Sequence, residues 1–131
     1  MRPEEAVNAS VVIVDDERSV ASALQRELKQ LGVTAVVVSD PELAEEALTS
    51  HGATAIICDK RMPTRSGIEV LVSVREKLPA VARCLLTGSL SELTKEEVDR
   101  ITPCQLVGKP WSRRDLKELI VSLGLVAERA G

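Results

Sequence analysis

Short apolar runs punctuate this chain, and four of them are followed directly by polar residues capable of chemistry. Val11-Val12-Ile13-Val14 precedes Asp15 and Asp16, and Thr54-Ala55-Ile56-Ile57-Cys58 precedes Asp59. Arg83-Cys84-Leu85-Leu86 precedes Thr87, and Cys104-Gln105-Leu106-Val107-Gly108 precedes Lys109. A fifth run, Thr34 to Val38, predicts a further strand. Longer stretches with apolar residues at helical spacing lie between the runs. Val20, Leu24, Leu28 and Leu31 form one such stripe, ending at Gly32. Asp40-Pro41 opens the next helix as N-cap and first helical residue, with Leu43, Ala44, Ala47 and Leu48 as its apolar face. Ile68, Leu71, Val72 and Leu78 mark a third, stopped by Pro79.

The remaining segments are shorter. Thr94-Lys95-Glu96-Glu97 is a capping-box pattern leading into a brief amphipathic piece with Val98 and Ile101. Ser112-Arg113-Arg114-Asp115 caps a last helix carrying Leu116, Leu119, Ile120 and Leu123, which Gly124 closes. Strand and helix alternate five times, which predicts an α/β fold with a doubly wound parallel sheet and helices on both faces. The C-terminal ends of all strands then lie along one edge, where open α/β sheets bind ligands. Carboxylates there suit a hard divalent cation, and a hydroxyl and an ammonium beside them suit an anion, a combination fitted to phosphoryl transfer.

Composition narrows the class. A chain of 131 residues predicts one domain, and its single Trp, with no Phe or Tyr, leaves the core to Val, Leu, Ile and Ala. The expected boundaries are an N-terminal extension over 1–9, the domain over 10–124, and a tail or linker start over 125–131. A net charge of −3 gives no footprint for nucleic acid or anionic membrane. No apolar run approaches bilayer length, and Met1 to Glu5 lacks a signal-peptide core, so a cytoplasmic protein is expected. Cys58, Cys84 and Cys104 are widely spaced, with no metal-ligand pattern, and are read as buried structural thiols. His51 is read as a solvent-facing residue at a helix C-terminus.

With those residues placed, the chain resembles a response-regulator receiver domain of two-component signalling, from about Ser10 to Leu123. The resemblance rests on Val14-Asp15-Asp16-Glu17, Cys58-Asp59-Lys60-Arg61-Met62-Pro63, Ser66-Gly67, Leu86-Thr87-Gly88 and Lys109-Pro110-Trp111, all in order. It implies a five-stranded flavodoxin-like sheet of order 2-1-3-4-5 flanked by five helices. It also implies that Asp59 accepts a phosphoryl group from a histidine kinase or phosphotransfer protein. Asp16 would ligate Mg2+ directly, Asp15 mostly through water, together with Asp59 and the backbone carbonyl of Arg61. Lys109 would pair with Asp59 and its phosphoryl oxygens, through a cis Lys109-Pro110 bond, while Thr87 would close on the phosphoryl group and relay the signal. Such a domain is a regulatory switch, at most labelling itself from a small donor and slowly dephosphorylating.

Departures from the family pattern are informative. Leu106 stands where many receivers carry a Tyr or Phe, so a switch through Thr87 and the loop Gly88 to Leu93, with a muted change at strand five, is expected. Arg61 and Ser89 flank the site; Arg61 either pairs with the phosphoryl group or is a solvated loop cation. Trp111 is read as an anchor at the start of the last helix. By resemblance, effector or homodimer contacts fall on the last two helices and last strand. Two other functions compete. A haloacid-dehalogenase-like phosphohydrolase would need an acid/base Asp two residues after its nucleophile, whereas the first strand ends Asp15-Asp16-Glu17. A receiver fold used only for docking or dimerisation, without phosphorylation, is kept open by Leu106.

Overall fold

In a computed structural model, residues 9–125 are described. Five strands form one parallel sheet: β1 (Val11–Val14), β2 (Ala35–Val38), β3 (Ala55–Asp59), β4 (Ala82–Thr87) and β5 (Gln105–Gly108). Their order is β2-β1-β3-β4-β5, as the resemblance implies. Strands β1 and β3 run side by side with Val14 opposite Cys58, and Thr87 of β4 lies opposite Gly108 of β5. The chemically equipped strand ends therefore share one edge.

Five α-helices cover the sheet: α1 (Arg18–Gln30), α2 (Ala44–His51), α3 (Gly67–Lys77), α4 (Lys95–Ile101) and α5 (Arg113–Ser122). Alternation along the strands divides the core into two layers. Val11, Ile13, Ile57 and Leu86 face α1 and α5, meeting Leu24, Leu28, Leu116 and Ile120. Val12, Val14, Ile56 and Leu85 face the other helices, meeting Leu48, Leu71, Val74 and Ile101. None of these side chains needs a polar partner, so aliphatic packing alone fills both layers without Phe or Tyr.

The helix ends follow their sequence signals. Asp40 accepts from the Glu42 N–H at 3.0 Å, though the turn it caps, Pro41–Leu43, is a 3-10 turn preceding α2. Both predicted capping boxes form, at Thr94 with Glu97 and at Ser112 with Asp115. Gly32 and Gly124 close α1 and α5 in left-handed backbone, φ +86° and +72°.

Three expectations need correction. The strand starts shift by one residue: Thr34, Thr54 and Cys104 fall just outside β2, β3 and β5, and β4 starts a residue earlier, at Ala82. Cys58 and Cys84 are buried, but Cys104 is only partly so because it precedes the edge strand. His51 ends α2 as expected but is partly buried. No expectation covered Arg83, which points into the protein: its guanidinium donates to the Val81 carbonyl at 3.2 Å and the Pro103 carbonyl at 2.9 Å, tying β4 to the turn before β5. Most of the expected extension over 1–9 and of the tail over 125–131 lies outside the described residues. Among the described residues, no helix is long and apolar enough to cross a membrane.

Candidate functional site

Each side chain at the sheet edge is delivered by the end of a buried strand. Asp15 leaves β1 with its backbone N–H bonded to the Val38 carbonyl, and its Oδ1 accepts from the Glu17 N–H at 2.9 Å. That turn buries Asp15 and leaves Asp16 exposed. Asp59 is the last residue of β3 and is only 4% exposed. Next to it, Lys60 donates its backbone N–H to the Leu86 carbonyl of β4. Gly67 N–H reaches back to the Lys60 carbonyl at 2.8 Å, pinning the loop against the start of α3.

Thr87 ends β4 buried, its Oγ1 accepting from the Ser89 N–H at 3.2 Å. Lys109 follows β5 and donates its backbone N–H to the Thr87 carbonyl at 2.8 Å. Its ammonium lies 2.7 Å from Asp59 Oδ1 and 3.4 Å from Asp15 Oδ2. The Lys109-Pro110 bond is cis, as the resemblance implied; a second cis bond, Thr102-Pro103, was not foreseen.

Carboxylate oxygens of Asp15, Asp16 and Asp59 all lie within 4.8 Å of one another. Burial pushes the Asp59 carboxyl above its usual range, and the charges of Asp15 and Asp16 push it the same way, against the Lys109 hydrogen bond. For Lys109, burial disfavours the ammonium, but the Asp59 hydrogen bond and both carboxylate charges outweigh it and raise its pKa. Three carboxylates against one ammonium leave a surplus of negative charge on hard oxygen donors. This donor set fits a small divalent cation such as Mg2+. On the far side of the sheet the Cys58 thiol is held protonated, first by burial and then by the Asp59 charge.

The profile of the response regulator receiver domain matches residues 11–121. The chain belongs to the response-regulator receiver family. Among curated relatives, this receiver is 35% identical over 104 residues to the hydrogenase transcriptional regulatory protein HoxA of Cupriavidus necator, covering 79% of this chain and 21% of that one. It is 33% identical over 122 residues to the sensory transduction protein RegX3 of Mycobacterium tuberculosis, covering 93% of this chain and 52% of RegX3. The receiver thus spans between about a fifth and half of these relatives. The response regulator TrrA of Thermotoga maritima, solved in complex with Mg2+ and BeF, superposes with a TM-score of 0.77 at 26% identity, over 86% of this chain and 96% of that one. Receivers are regulatory rather than catalytic domains, and the acidic cluster of this one is consistent with a phosphoacceptor site.

The structure brings Asp15, Asp16, Asp59, Thr87 and Lys109 together at one edge. The modulating positions stand further out. Arg61 is engaged by Glu92 at 2.7 Å in an exposed ion pair, and the Ser89 hydroxyl lies 3.5 Å from that of Ser91. Leu106 is 38% exposed and lines a cleft with Leu90 and Leu119. Two contacts had no sequence signal, because their partners are far apart in the chain, and the reason for a third was hidden although its residue was named. Lys60 pairs with Glu97 of the α4 capping box at 3.4 Å, and Trp111 Nε1 donates to Glu27 at 2.8 Å. Gly67 packs directly on the Asp59 carbonyl.

Proposed function

We propose that the receiver is a phosphoacceptor switch in which Asp59 takes a phosphoryl group from a histidine kinase or phosphotransfer protein. The observation that carries this reading is the juxtaposition of a buried Asp59, two further carboxylates within 4.8 Å and the Lys109 ammonium at 2.7 Å. One Asp59 carboxylate oxygen attacks phosphorus while the bond from phosphorus to the donor nitrogen breaks. The electron pair of that bond leaves with the imidazole, which takes up a proton. Asp15, Asp16, Asp59 and the Arg61 carbonyl would hold Mg2+, which would supply positive charge against the transferring phosphoryl oxygens.

The chain's own residues do the rest. Lys109 holds Asp59 in place before transfer and then neutralises a phosphoryl oxygen. The Thr87 hydroxyl, one residue along the adjacent strand, donates to another and draws the loop from Gly88 to Leu93 with it. The new position of that loop changes affinity for a partner, an effector domain or a second receiver, on the surface of α4, β5 and α5. The reading places the receiver in the cytoplasm. The exposed Leu106 favours one alternative, a receiver fold that docks partners without being phosphorylated.

Intact-mass spectrometry after incubation with Mg2+ and acetyl phosphate separates the two. One phosphoryl adduct, absent without Mg2+ and absent from Asp59→Ala, is the result expected of the switch. No adduct under any condition is the result expected of the docking module.

A further inference from the structure

We infer that Trp111 and Glu27 are positioning residues that aim Lys109 at Asp59, an inference that rests on the phosphoacceptor reading above. A lysine ammonium ends a flexible four-carbon stem with large rotamer freedom. Here it is held between two buried carboxylates, 2.7 Å from Asp59 and 3.4 Å from Asp15, so the backbone behind it must be fixed. The sheet supplies little of that restraint. β5 ends at Gly108, and the Lys109 N–H bond to Thr87 is the last link of the chain to β4. Pro110 has no N–H to give and is exposed, and α5 begins only after Ser112.

Trp111 supplies what is missing. Its indole packs against the layer formed with α1 and α5, and Nε1 donates to Glu27 Oε2 at 2.8 Å in a partly buried hydrogen bond. Glu27 sits beside the fully buried Leu28 on α1. That helix starts two residues after Asp16, and Glu27 lies about 13 Å along it at 1.5 Å per residue. One rigid helix therefore connects the loop bearing the metal-binding carboxylates to the loop bearing the lysine. The exposed contact of Arg113 with Gln30, 3.3 Å, lies on the same side and is weaker. A buried indole N–H usually finds some acceptor; what makes this one a positioning contact is where the tether lies, two residues from Lys109.

The test uses Glu27→Met, which removes the acceptor and keeps shape, Glu27→Gln, which keeps an acceptor, and Trp111→Phe, which keeps most packing and loses the donor. At saturating acetyl phosphate and Mg2+, Glu27→Met and Trp111→Phe should each slow labelling of Asp59 by about tenfold, as expected for a misplaced reacting group. The loss should fall on the maximal rate and not on the donor concentration giving half of it. The double variant should be no slower than either single one, and Glu27→Gln should label near the wild-type rate. Wild-type rates in Glu27→Met with a lowered urea midpoint, or additive losses in the double variant, would overturn the inference and leave a purely structural contact. The Lys109 ammonium resonance, followed by NMR without any donor, reads the aim separately. It should shift in Glu27→Met and stay in place in Glu27→Gln; an unmoved resonance in Glu27→Met overturns the inference. A wild type that never labels sinks only the phosphoacceptor reading, since the resonance still decides the positioning.

Discussion

Replacing Gly67 by Ala should damage both stability and phosphoryl transfer, although the change adds one methyl group. Gly67 begins α3 directly beneath the Asp59 peptide group, with ordinary helical backbone that any residue can adopt. A Cβ built there lies 2.0 Å from the Asp59 carbonyl oxygen, 2.8 Å from its carbon and 3.0 Å from Lys60 Cα. Carbon and carbonyl oxygen rest about 3.3 Å apart or more, so the two segments must separate by about 1.3 Å. All three obstacles are backbone, and none can rotate away. Overpacking of this kind costs about 3 kcal/mol, and the better helix propensity of Ala returns at most about 1 kcal/mol. The net loss of about 2 kcal/mol, with a urea slope of about 2 kcal/mol/M, lowers the unfolding midpoint by about 1 M. Because the displaced atoms belong to Asp59 and Lys60, labelling by acetyl phosphate should also slow by about a hundredfold. Gly88→Ala is the control for stability: a Cβ there meets nothing within 4 Å, so its midpoint should move by less than about 0.25 M. A Gly67→Ala protein with wild-type midpoint and labelling rate would refute the steric reasoning.

Lys109→Met leaves the buried Asp59 without its cation and should cost about 2 kcal/mol at pH 7 and at least about a hundredfold in labelling rate. The Asp59 carboxyl is already raised, so the folded state binds its proton more readily than the unfolded state. Loss of the Lys109 hydrogen bond and charge raises it further in the variant, so the deficit should shrink as pH falls from neutral towards the wild-type value, and urea midpoints equally depressed across the whole acid range would contradict this. Glu45 shows the opposite sign. Its carboxyl is held below the usual 4.5 by a hydrogen bond from Ser73 and by Lys77, so its contribution is present above 4.5 and lost as pH falls through the lowered value. Glu45→Gln should lower stability by less than about 1 kcal/mol at neutral pH and by less than that in acid, measured by urea unfolding at both. Addition of Mg2+ and beryllofluoride should shift the amides of Thr87 to Leu93 strongly and that of Leu106 weakly; a Leu106 shift as large as that of Thr87 would restore strand five as a main route of switching.

The parallel sheet and its chemically equipped edge were legible because buried strands read as unbroken apolar runs, and because each run stops where a polar side chain must reach the edge. Asp59 and Thr87 are found from that stop alone. Strand starts were less legible. Thr34 has strand propensity, yet its carbonyl receives the N–H groups of Ser10 and Val11 at the mouth of the sheet, and regular pairing begins one residue later. Arg83 looks like the polar opening of a run, and only the approach of the Pro103 carbonyl explains why a guanidinium is tolerated there. Lys60 with Glu97, and Glu27 with Trp111, are pairs separated by long stretches of chain, and no periodicity connects them. The Ser66-Gly67 dipeptide was visible as a motif, but the reason for the glycine is the Asp59 carbonyl at the end of β3, which the start of α3 folds back against.

The central claim is that Asp59 itself carries the phosphoryl group. Borohydride reduces an acyl phosphate to an alcohol, so reduction after labelling marks the acceptor carboxylate permanently, and peptide mass spectrometry then locates it. The account predicts a reduced side chain at position 59, dependent on both Mg2+ and donor, with Asp15 and Asp16 unchanged. Reduction at position 15 or 16, or at neither of these nor 59 in fully labelled protein, would contradict it.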